Sequence, residues 1–422
     1  MDQSAKLYEE SRGLAPGGVS SPVRMFQPNP LFIAKGKGSR ITDVDGEEFI
    51  DLCMAYGPLI AGHAHPEVTA AVQEQIVKGT VYGAPSEPEL ALVRRIASAV
   101  PSADMVRLAN SGTEATMHAI RTARGYTGRF GVVKMNGGFH GAHDAVLVKA
   151  GSGSAEGVPS SKGVPPGATQ YTHTVEYNDI QAMSDLLEKD RDIACVIMEP
   201  VLGNVGVIPP EKGYLEEVRK VTCENDVVLI FDEVITGFRL GPNCAQGRFG
   251  VTPDMTTMGK IIGGGYPAGA FAGRRDIMEM VAPQGPVYVA GTFAGNPVTA
   301  AAGLATIDLM ARGDNYQTLE RRSDRLTSAI RDAMADSGVS GCVNSLGSMF
   351  SIYFGPEQVR NATDAERTDR EVFGRMFRYM LKHGVYMAPS ALEDSFVSIA
   401  HTDEDIDALC EAFSGFMREE SR

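Results

Sequence analysis

Three short segments of this 422-residue chain carry the residue types that chemistry uses, and each also has an ordinary structural reading. Met258-Gly259-Lys260 is followed by Ile261, Ile262 and Gly263-Gly264-Gly265. A lysine set among apolar residues and glycines can be desolvated, which lowers the ammonium pKa and frees the amine to attack a carbonyl. The ordinary reading is a surface lysine snorkelling out of a flexible turn. Phe231-Asp232-Glu233-Val234 puts two acids directly after an apolar run. Ligands gather at the C-terminal ends of parallel strands, where a carboxylate could hold a cationic ring nitrogen; alternatively the aspartate caps a helix. Asn110-Ser111-Gly112-Thr113-Glu114 lies between the apolar run Met105 to Ala109 and a stretch of helical spacing. A glycine and two hydroxyls at a helix N-terminus suit a phosphate, or serve simply as an N-cap.

Together the three segments supply what a pyridoxal phosphate enzyme needs: an amine for the aldehyde, a carboxylate for the pyridine nitrogen and donors for the phosphate. Phe139, in Gly137-Gly138-Phe139-His140-Gly141, offers an aromatic face to stack on the ring, or packs a core beside a turn. The common alternatives are missing: no GxxxxGK[ST], no GxGxxG after a strand, no HExxH and no GxSxG. His63 and His65 stand two apart in a turn with no further ligands in view. They read as capping or packing residues, and no metal is expected.

The elements that must position these groups follow from hydrophobic spacing. Val132-Val133, Ala145 to Val148, Ala194 to Met198 and Val227 to Phe231 read as buried strands. Thr113 to Arg124, Ile180 to Lys189 and Tyr214 to Asn225 read as the helices between them. Such alternation implies a parallel sheet covered on both faces. Ser39 to Leu52, with Asp45-Gly46, reads as a β-hairpin, and Pro66 to Lys78 as a helix. Long helices are expected from Asn296 to about Arg312 and from Asn315 to Ser337, then a strand at Met349 to Phe354. A closing helix is capped by Thr402 and Asp405, with Ile406, Leu409, Cys410 and Phe413 as its buried stripe. Gly151 to Gly167, rich in Gly, Pro and Ser, reads as a lid or an insert. The expected fold is α/β: a large α/β/α domain with a mostly parallel sheet over 56–302, and a smaller α+β domain over 303–422. Residues 1–55 complete the smaller one.

Composition narrows the class. Acidic residues outnumber basic ones by 53 to 39, a formal net charge of −14, which argues against nucleic acid or anionic lipid as partner. Six scattered cysteines without a CxxC pair suit reduced cytoplasmic thiols. The charged N-terminus lacks the apolar core of a signal peptide, and the most apolar window, Val289 to Ala311, is too weak for a membrane span. Glycine, at 47 residues, exceeds the usual share of about 7 %, so backbone must turn sharply or approach something closely at many places.

At this point the sequence resembles the class III, fold-type I pyridoxal phosphate aminotransferases. The likeness runs through PGGVSSPVR (Pro16 to Arg24), GPLIAGHAHPEV (Gly57 to Val68), NSGTEATMHAIR (Asn110 to Arg121) and VKAGSG (Val148 to Gly153). It continues through EPVLGNVG (Glu199 to Gly206), FDEVITGFR (Phe231 to Arg239), GKIIGGGYPAGAFAG (Gly259 to Gly273), GTFAGNP (Gly291 to Pro297) and Met387 to Asp407. The resemblance implies pyridoxal 5'-phosphate and pyridoxamine 5'-phosphate as cofactor forms. It makes Lys260 the Schiff-base lysine and proton shuttle, with Asp232 on the pyridinium nitrogen. Val234 would press one ring face and Phe139 the other; Ser111, Gly112 and Thr113 would hold the phosphate. His140 and Asn204 join the cofactor-binding set, and Thr292 is expected to reach the phosphate of a neighbouring subunit, hence a homodimer with shared active sites. Ser21 and Arg24 match a clamp for the substrate carboxylate, with Ser152, Tyr288 and Glu393 around the same pocket.

GGVSSPVR and the GSG segment narrow the resemblance to the branch that exchanges amino and oxo groups within one small amino-aldehyde, with glutamyl-tRNA reductase as the upstream enzyme. Three positions depart from the common pattern: Asn136 where many relatives have Glu, Phe139 where many have Tyr, and Ala294 where many have Ser. The competing reading is an intermolecular aminotransferase for an ω- or β-amino acid. Such enzymes usually hold a dicarboxylate with a C-terminal arginine, and no Arg occurs between Arg378 and Arg418.

Overall fold

The structure, a computed structural model, describes residues 3–148 and 161–421. A helix, Gln3–Arg12, and two tight turns lead into three antiparallel strands, β1 (Ile33–Lys37), β2 (Arg40–Asp43) and β3 (Glu48–Asp51). The β2–β3 pair is the hairpin marked by Asp45-Gly46. Asp43 Oδ1 accepts from the N–H groups of Asp45 and Glu47, and Gly46 takes the left-handed φ of 90° that the turn requires.

The apolar runs of the middle of the chain form one seven-stranded sheet. Its strands are β4 (Met105–Ala109), β5 (Gly131–Met135), β6 (Thr172–Val175), β7 (Ile193–Met198), β8 (Val228–Glu233), β9 (Met255–Gly259) and β10 (Gly269–Gly273). Their order is β4-β10-β9-β8-β7-β5-β6. Pairing is parallel from β9 through β8, β7 and β5 to β6, whereas β10 runs antiparallel to both β9 and β4. The reversal has a local cause. The segment Lys260 to Ala268 turns straight back instead of crossing over through a long helix, and a short connection can only make an antiparallel pair.

Both faces are covered. Val196, Met198, Leu229 and Phe231 pack against the helices Ile180–Lys189 and Tyr214–Glu224. Their neighbours Cys195, Ile197, Val228 and Ile230 point to the opposite layer, against Ala119, Ile120 and Ala123 of the helix Gly112–Thr127. This is the period-two alternation of a strand, with both faces apolar because neither meets water. Ala145 to Val148 does not form the expected strand. Asp144–Val146 is a single helical turn, and the sheet edge beside β5 is taken by β6, the less apolar THTV.

In the last third, helices Pro297–Met310 and Asn315–Ser337 precede the strands β11 (Gly341–Leu346) and β12 (Met349–Phe354). Two short strands follow. β13 (Val385–Tyr386) joins the N-terminal sheet in parallel with β3, and β14 (Ser395–Phe396) pairs with β12. Ser39 Oγ adds a 2.7 Å hydrogen bond to Asp405 Oδ2, which ties the N-terminal sheet to the closing helix Asp403–Glu420. Thr402 and Asp405 form the capping box of that helix. Ile406, Leu409 and Phe413 are buried, and Cys410 lies half-buried at the edge of the stripe.

Candidate active site

Five elements of the central sheet end at one cavity of about 460 Å³. β4 runs into the turn Asn110–Ser111 and the helix from Gly112; Phe139 follows β5, Glu199 follows β7, Asp232 closes β8 and Lys260 follows β9. β4 runs in the same direction as its parallel partners, so these residues come from C-terminal strand ends, where ligands bind in open α/β sheets.

Asp232 is buried and receives three contacts. His140 Nδ1 lies 2.7 Å from Oδ2, and the Val234 N–H and the Thr257 hydroxyl donate to Oδ1 at 3.1 Å each. Burial lowers the pKa of the His140 imidazole, and its Nε2 has no partner. The neutral ring therefore carries its proton on Nδ1 and donates to the carboxylate. Lys260 sits in the left-handed region at φ 48°, an uncommon conformation for a side-chain-bearing residue. Desolvation lowers its pKa, while the carboxylates of Glu393, Glu199, Asp394 and Asp232 pull the other way. A sheltered amine is the outcome, and the snorkelling reading falls away.

At the helix start the ordinary N-cap is formed. Ser111 Oγ accepts from Glu114 N at 3.1 Å, an ordinary N-cap, and the N–H groups of Gly112 and Thr113 are those that a first turn leaves over. Two glycines keep this corner open. A β-carbon on Gly112 would stand 3.0 Å from the Val234 methyls. One on Gly141, at φ 88°, would stand 2.6 Å from Thr113 Cα. The residues present fit a flat phosphorylated ring. They supply an anion site at a helix N-terminus, an acid held from behind by donors, an amine, the faces of Val234 and Phe139, and backbone with no room for side chains.

Of the residues anticipated from sequence, Ser111, Gly112, Thr113, Phe139, Asn204, Asp232, Val234 and Lys260 line the cavity together. His140 stands behind Asp232, outside the lining. Glu393 is half-buried, and its charge acts on Lys260. Ser21 and Arg24 flank a turn at Pro22–Arg24 whose arginine is exposed. Tyr288 and Thr292 are exposed and do not line this cavity. Ser152 lies outside the described residues. Asn136 faces away from the cavity: its Nδ2 donates to Glu176 Oε1, which also accepts from Thr363 Oγ1 at 3.0 Å.

A model of the family "Aminotransferase class-III" matches residues 23–417. The chain belongs to the class-III aminotransferase family. A relative from Methanosarcina acetivorans, named glutamate-1-semialdehyde 2,1-aminomutase, is 51 % identical over 98 % of this chain and 98 % of its own. An omega-transaminase from Sphaerobacter thermophilus superposes with a TM-score of 0.93 at 33 % identity, covering 100 % of this chain and 98 % of the other. A lysine-to-alanine variant of a glutamate-1-semialdehyde-aminomutase from Pseudomonas aeruginosa PAO1, in complex with PMP, superposes with a TM-score of 0.88 at 27 % identity. It covers 99 % of this chain and 94 % of the other.

This class-III aminotransferase also builds its site from residues the sequence reading passed over. Glu199 is buried and accepts from Phe139 N and Gly203 N at 3.0 Å each and from Asn204 Nδ2 at 2.9 Å. Burial and the nearby Asp232 raise its carboxyl to about 7. It carried the same mark as Asp232, an acid at the end of an apolar run. Outside the cavity lining, Lys134, fully buried on β5, donates to Val148 O at 2.8 Å, and burial pulls its ammonium down to about 8. Thr257 and Tyr266 had no local signal. One is an interior strand residue that reaches Asp232, the other a turn residue on the cavity wall.

Proposed function

We propose that the chain converts glutamate 1-semialdehyde to 5-aminolevulinate, the tetrapyrrole (porphyrin) precursor, by moving an amino group within one small amino-aldehyde substrate. The observation that carries this reading is the 51 % identity, over nearly the whole of both chains, to a relative named glutamate-1-semialdehyde 2,1-aminomutase, together with the site described above. Pyridoxal 5'-phosphate and pyridoxamine 5'-phosphate, when bound, supply the electron sink and carry the amino group.

This chain's own residues do the rest. Asp232, held by His140, Thr257 and the Val234 N–H, pairs with the pyridinium nitrogen. Ser111, Gly112 and Thr113 hold the phosphate, Val234 and Phe139 confine the ring, and Asn204 with Glu199 lines the remaining wall. Lys260, desolvated and lining the cavity, would hold the cofactor through its amine and would serve as the group that moves a proton at the reacting carbon. Arg24, with Ser21, receives the substrate carboxylate; Tyr288, Ser152 and Glu393 complete the substrate side, and Thr292 serves the phosphate of a partner copy in a homodimer. The working division is a large domain over 56–302 and a small one over 303–422 completed by 1–55. The β3–β13 pairing and the Ser39–Asp405 hydrogen bond support it. Among the described residues no helix is long and apolar enough to cross a membrane. A cytoplasmic setting downstream of glutamyl-tRNA reductase completes the reading.

A second reading is an intermolecular aminotransferase for an ω- or β-amino acid. It is favoured by the TM-score of 0.93 to an omega-transaminase, and opposed by the lack of any Arg between Arg378 and Arg418. One experiment separates them. Holoenzyme incubated with glutamate 1-semialdehyde and no other amino donor forms 5-aminolevulinate under the first reading. No 5-aminolevulinate from that incubation, with amino transfer from an ω- or β-amino acid to an oxo acid instead, establishes the other.

A further inference from the structure

The loop after β3 makes a turn that L-residues avoid. Met54, Ala55 and Tyr56 have φ of 44°, 55° and 64°, three consecutive side-chain-bearing residues in the left-handed region, and Gly57 follows at 114°. Such backbone persists only where its surroundings over-determine it. Here they do. Asp51 Oδ1 accepts from Cys53 N at 2.8 Å and Met54 N at 3.0 Å, and the other oxygen is held by His63 Nε2 at 2.7 Å. At the far end the fully buried Arg239 donates to the Gly57 carbonyl and, at 2.9 Å, to Ser348 Oγ. Its guanidinium carbon lies 4.7 Å over the Phe396 ring. The space beside Gly57 is filled by Lys260 and Phe396. Lys260 Cδ would be 3.4 Å from a β-carbon placed on Gly57. The strained turn is therefore a wall of the lysine's pocket.

The turn also aims Tyr56 outward from that wall. Its hydroxyl donates to the Val23 carbonyl at 2.5 Å, across thirty-three positions of sequence, immediately before Arg24. Burial keeps the phenol protonated, so it can only be a donor to a carbonyl. Val23 lies in the short turn Pro22–Arg24, whose backbone bonds are Arg24 N to Ser21 O at 3.1 Å and Met25 N to Pro22 O at 3.0 Å. A turn this short has little stability of its own.

We propose that Tyr56 is a positioning residue for substrate binding. Through the Val23 carbonyl it holds the Pro22–Arg24 turn at a set distance from the Lys260 wall, and so places the Arg24 guanidinium for an anionic group of the substrate. This rests on the reading of Arg24 as the carboxylate clamp. Tyr56 touches neither substrate nor cofactor in this scheme; it acts through the backbone of Val23. The strain in residues 54–56 is what directs the ring toward Val23, because an ordinary right-handed turn would send the side chain elsewhere.

Tyr56→Phe keeps the ring and removes the hydroxyl. The expected result is a KM for glutamate 1-semialdehyde raised about fivefold, as for one lost neutral hydrogen bond. The expected kcat is within about twofold of wild type, with an unchanged absorption spectrum of the bound cofactor. Amide hydrogen exchange in residues 16–26 should speed up in the same variant. In an Arg24→Ala background, Tyr56→Phe should add nothing further to KM, since both changes remove one coupled unit. Effects that multiply in the double variant, or a fall in kcat at constant KM, overturn the proposal. Two failures can be told apart. An Arg24→Ala variant with wild-type KM ends the clamp reading, and this proposal with it. A Tyr56→Phe variant with normal KM and normal exchange, beside an impaired Arg24→Ala, ends this proposal alone.

Discussion

The imidazole of His140 lies 2.7 Å from the carboxylate of Asp232, with both side chains almost wholly buried. The contact comes from two strand ends. Asp232 closes β8 and His140 follows β5, so the pair depends on the sheet order placing β7 alone between them. The histidine fixes the acid's orientation and satisfies one of its oxygens. Replacing it by a side chain of similar bulk without a donor leaves a buried carboxylate short of one hydrogen bond, at a cost of about 1.5–3 kcal/mol. His140→Leu is expected to weaken binding of pyridoxal phosphate by roughly one to two orders of magnitude. Absorbance titration of the apo-protein checks this. An unchanged Kd would mean the ring merely fills space.

Lys260 is the amine that the cavity desolvates. Wild-type protein treated with pyridoxal phosphate, reduced with borohydride and then denatured should retain the chromophore on the chain. Lys260→Ala should retain none while still binding the cofactor reversibly through Asp232 and Ser111. Chromophore covalently retained by the alanine variant would move the assignment to another amine.

Arg24 makes no ion pair among the described residues and is exposed at the end of a short turn. Its expected partner is the carboxylate of the substrate. A charge-assisted hydrogen bond of this kind contributes about 1.5–3 kcal/mol. Arg24→Ala should then raise KM by roughly ten- to a hundredfold and leave the cofactor spectrum as it is. Equal loss of cofactor would show that the arginine holds the fold.

How much of this was legible in the chain depends on how local each signal is. Asp232 stands out because a polar residue ends an apolar run at a strand terminus, and Lys260 because a lone lysine sits among apolar residues and glycines; in each, strand, turn and chemistry sit within ten residues. Glu199 carries the same local mark and could have been read with them. The closing helix was legible through its capping box, Thr402 and Asp405. Tyr56 was not, since its meaning lies in a carbonyl thirty-three positions away in irregular backbone. Nor was β13, two residues that become a strand only because β3 is there to pair with. The reversed β10 was hidden for a related reason: an apolar run does not state its direction, which the short turn from Lys260 decides.

Gly141 tests the close approach at the start of the helix Gly112–Thr127. Its φ of 88° is strained for any side chain, and a β-carbon would stand 2.6 Å from Thr113 Cα, a backbone atom that cannot swing aside. Gly141→Ala must move either the β5 loop or the first turn of the helix Gly112–Thr127. Overpacking of this kind costs about 1–3 kcal/mol, so thermal unfolding should fall by several degrees and cofactor affinity should fall with it. Gly46→Ala, where a β-carbon meets nothing within 4 Å, is the control for strain without collision. If both variants lose stability alike and cofactor affinity stays intact in each, the close approach of Gly141 to Thr113 does not shape the site.

Glu199 makes stability depend on pH with a sign opposite to that of an ordinary surface acid. Burial raises its carboxyl from the usual 4.5 to about 7, so between those values the folded chain holds a proton that the unfolded chain has released. Stability from this group is therefore fully present below about pH 4.5 and is lost as pH rises toward 7, a decline of order 3 kcal/mol. Its three donors, Phe139 N, Gly203 N and Asn204 Nδ2, limit the shift, and the charge of Asp232 adds to it. Glu199→Gln cannot titrate, so its unfolding free energy should be flatter than wild type across that window, whatever its absolute stability. Denaturant unfolding of both proteins at several pH values from 4.5 to 7.5 reads the difference in slope directly. Parallel curves would place the Glu199 carboxyl at its ordinary value, with its charge already compensated in the folded protein.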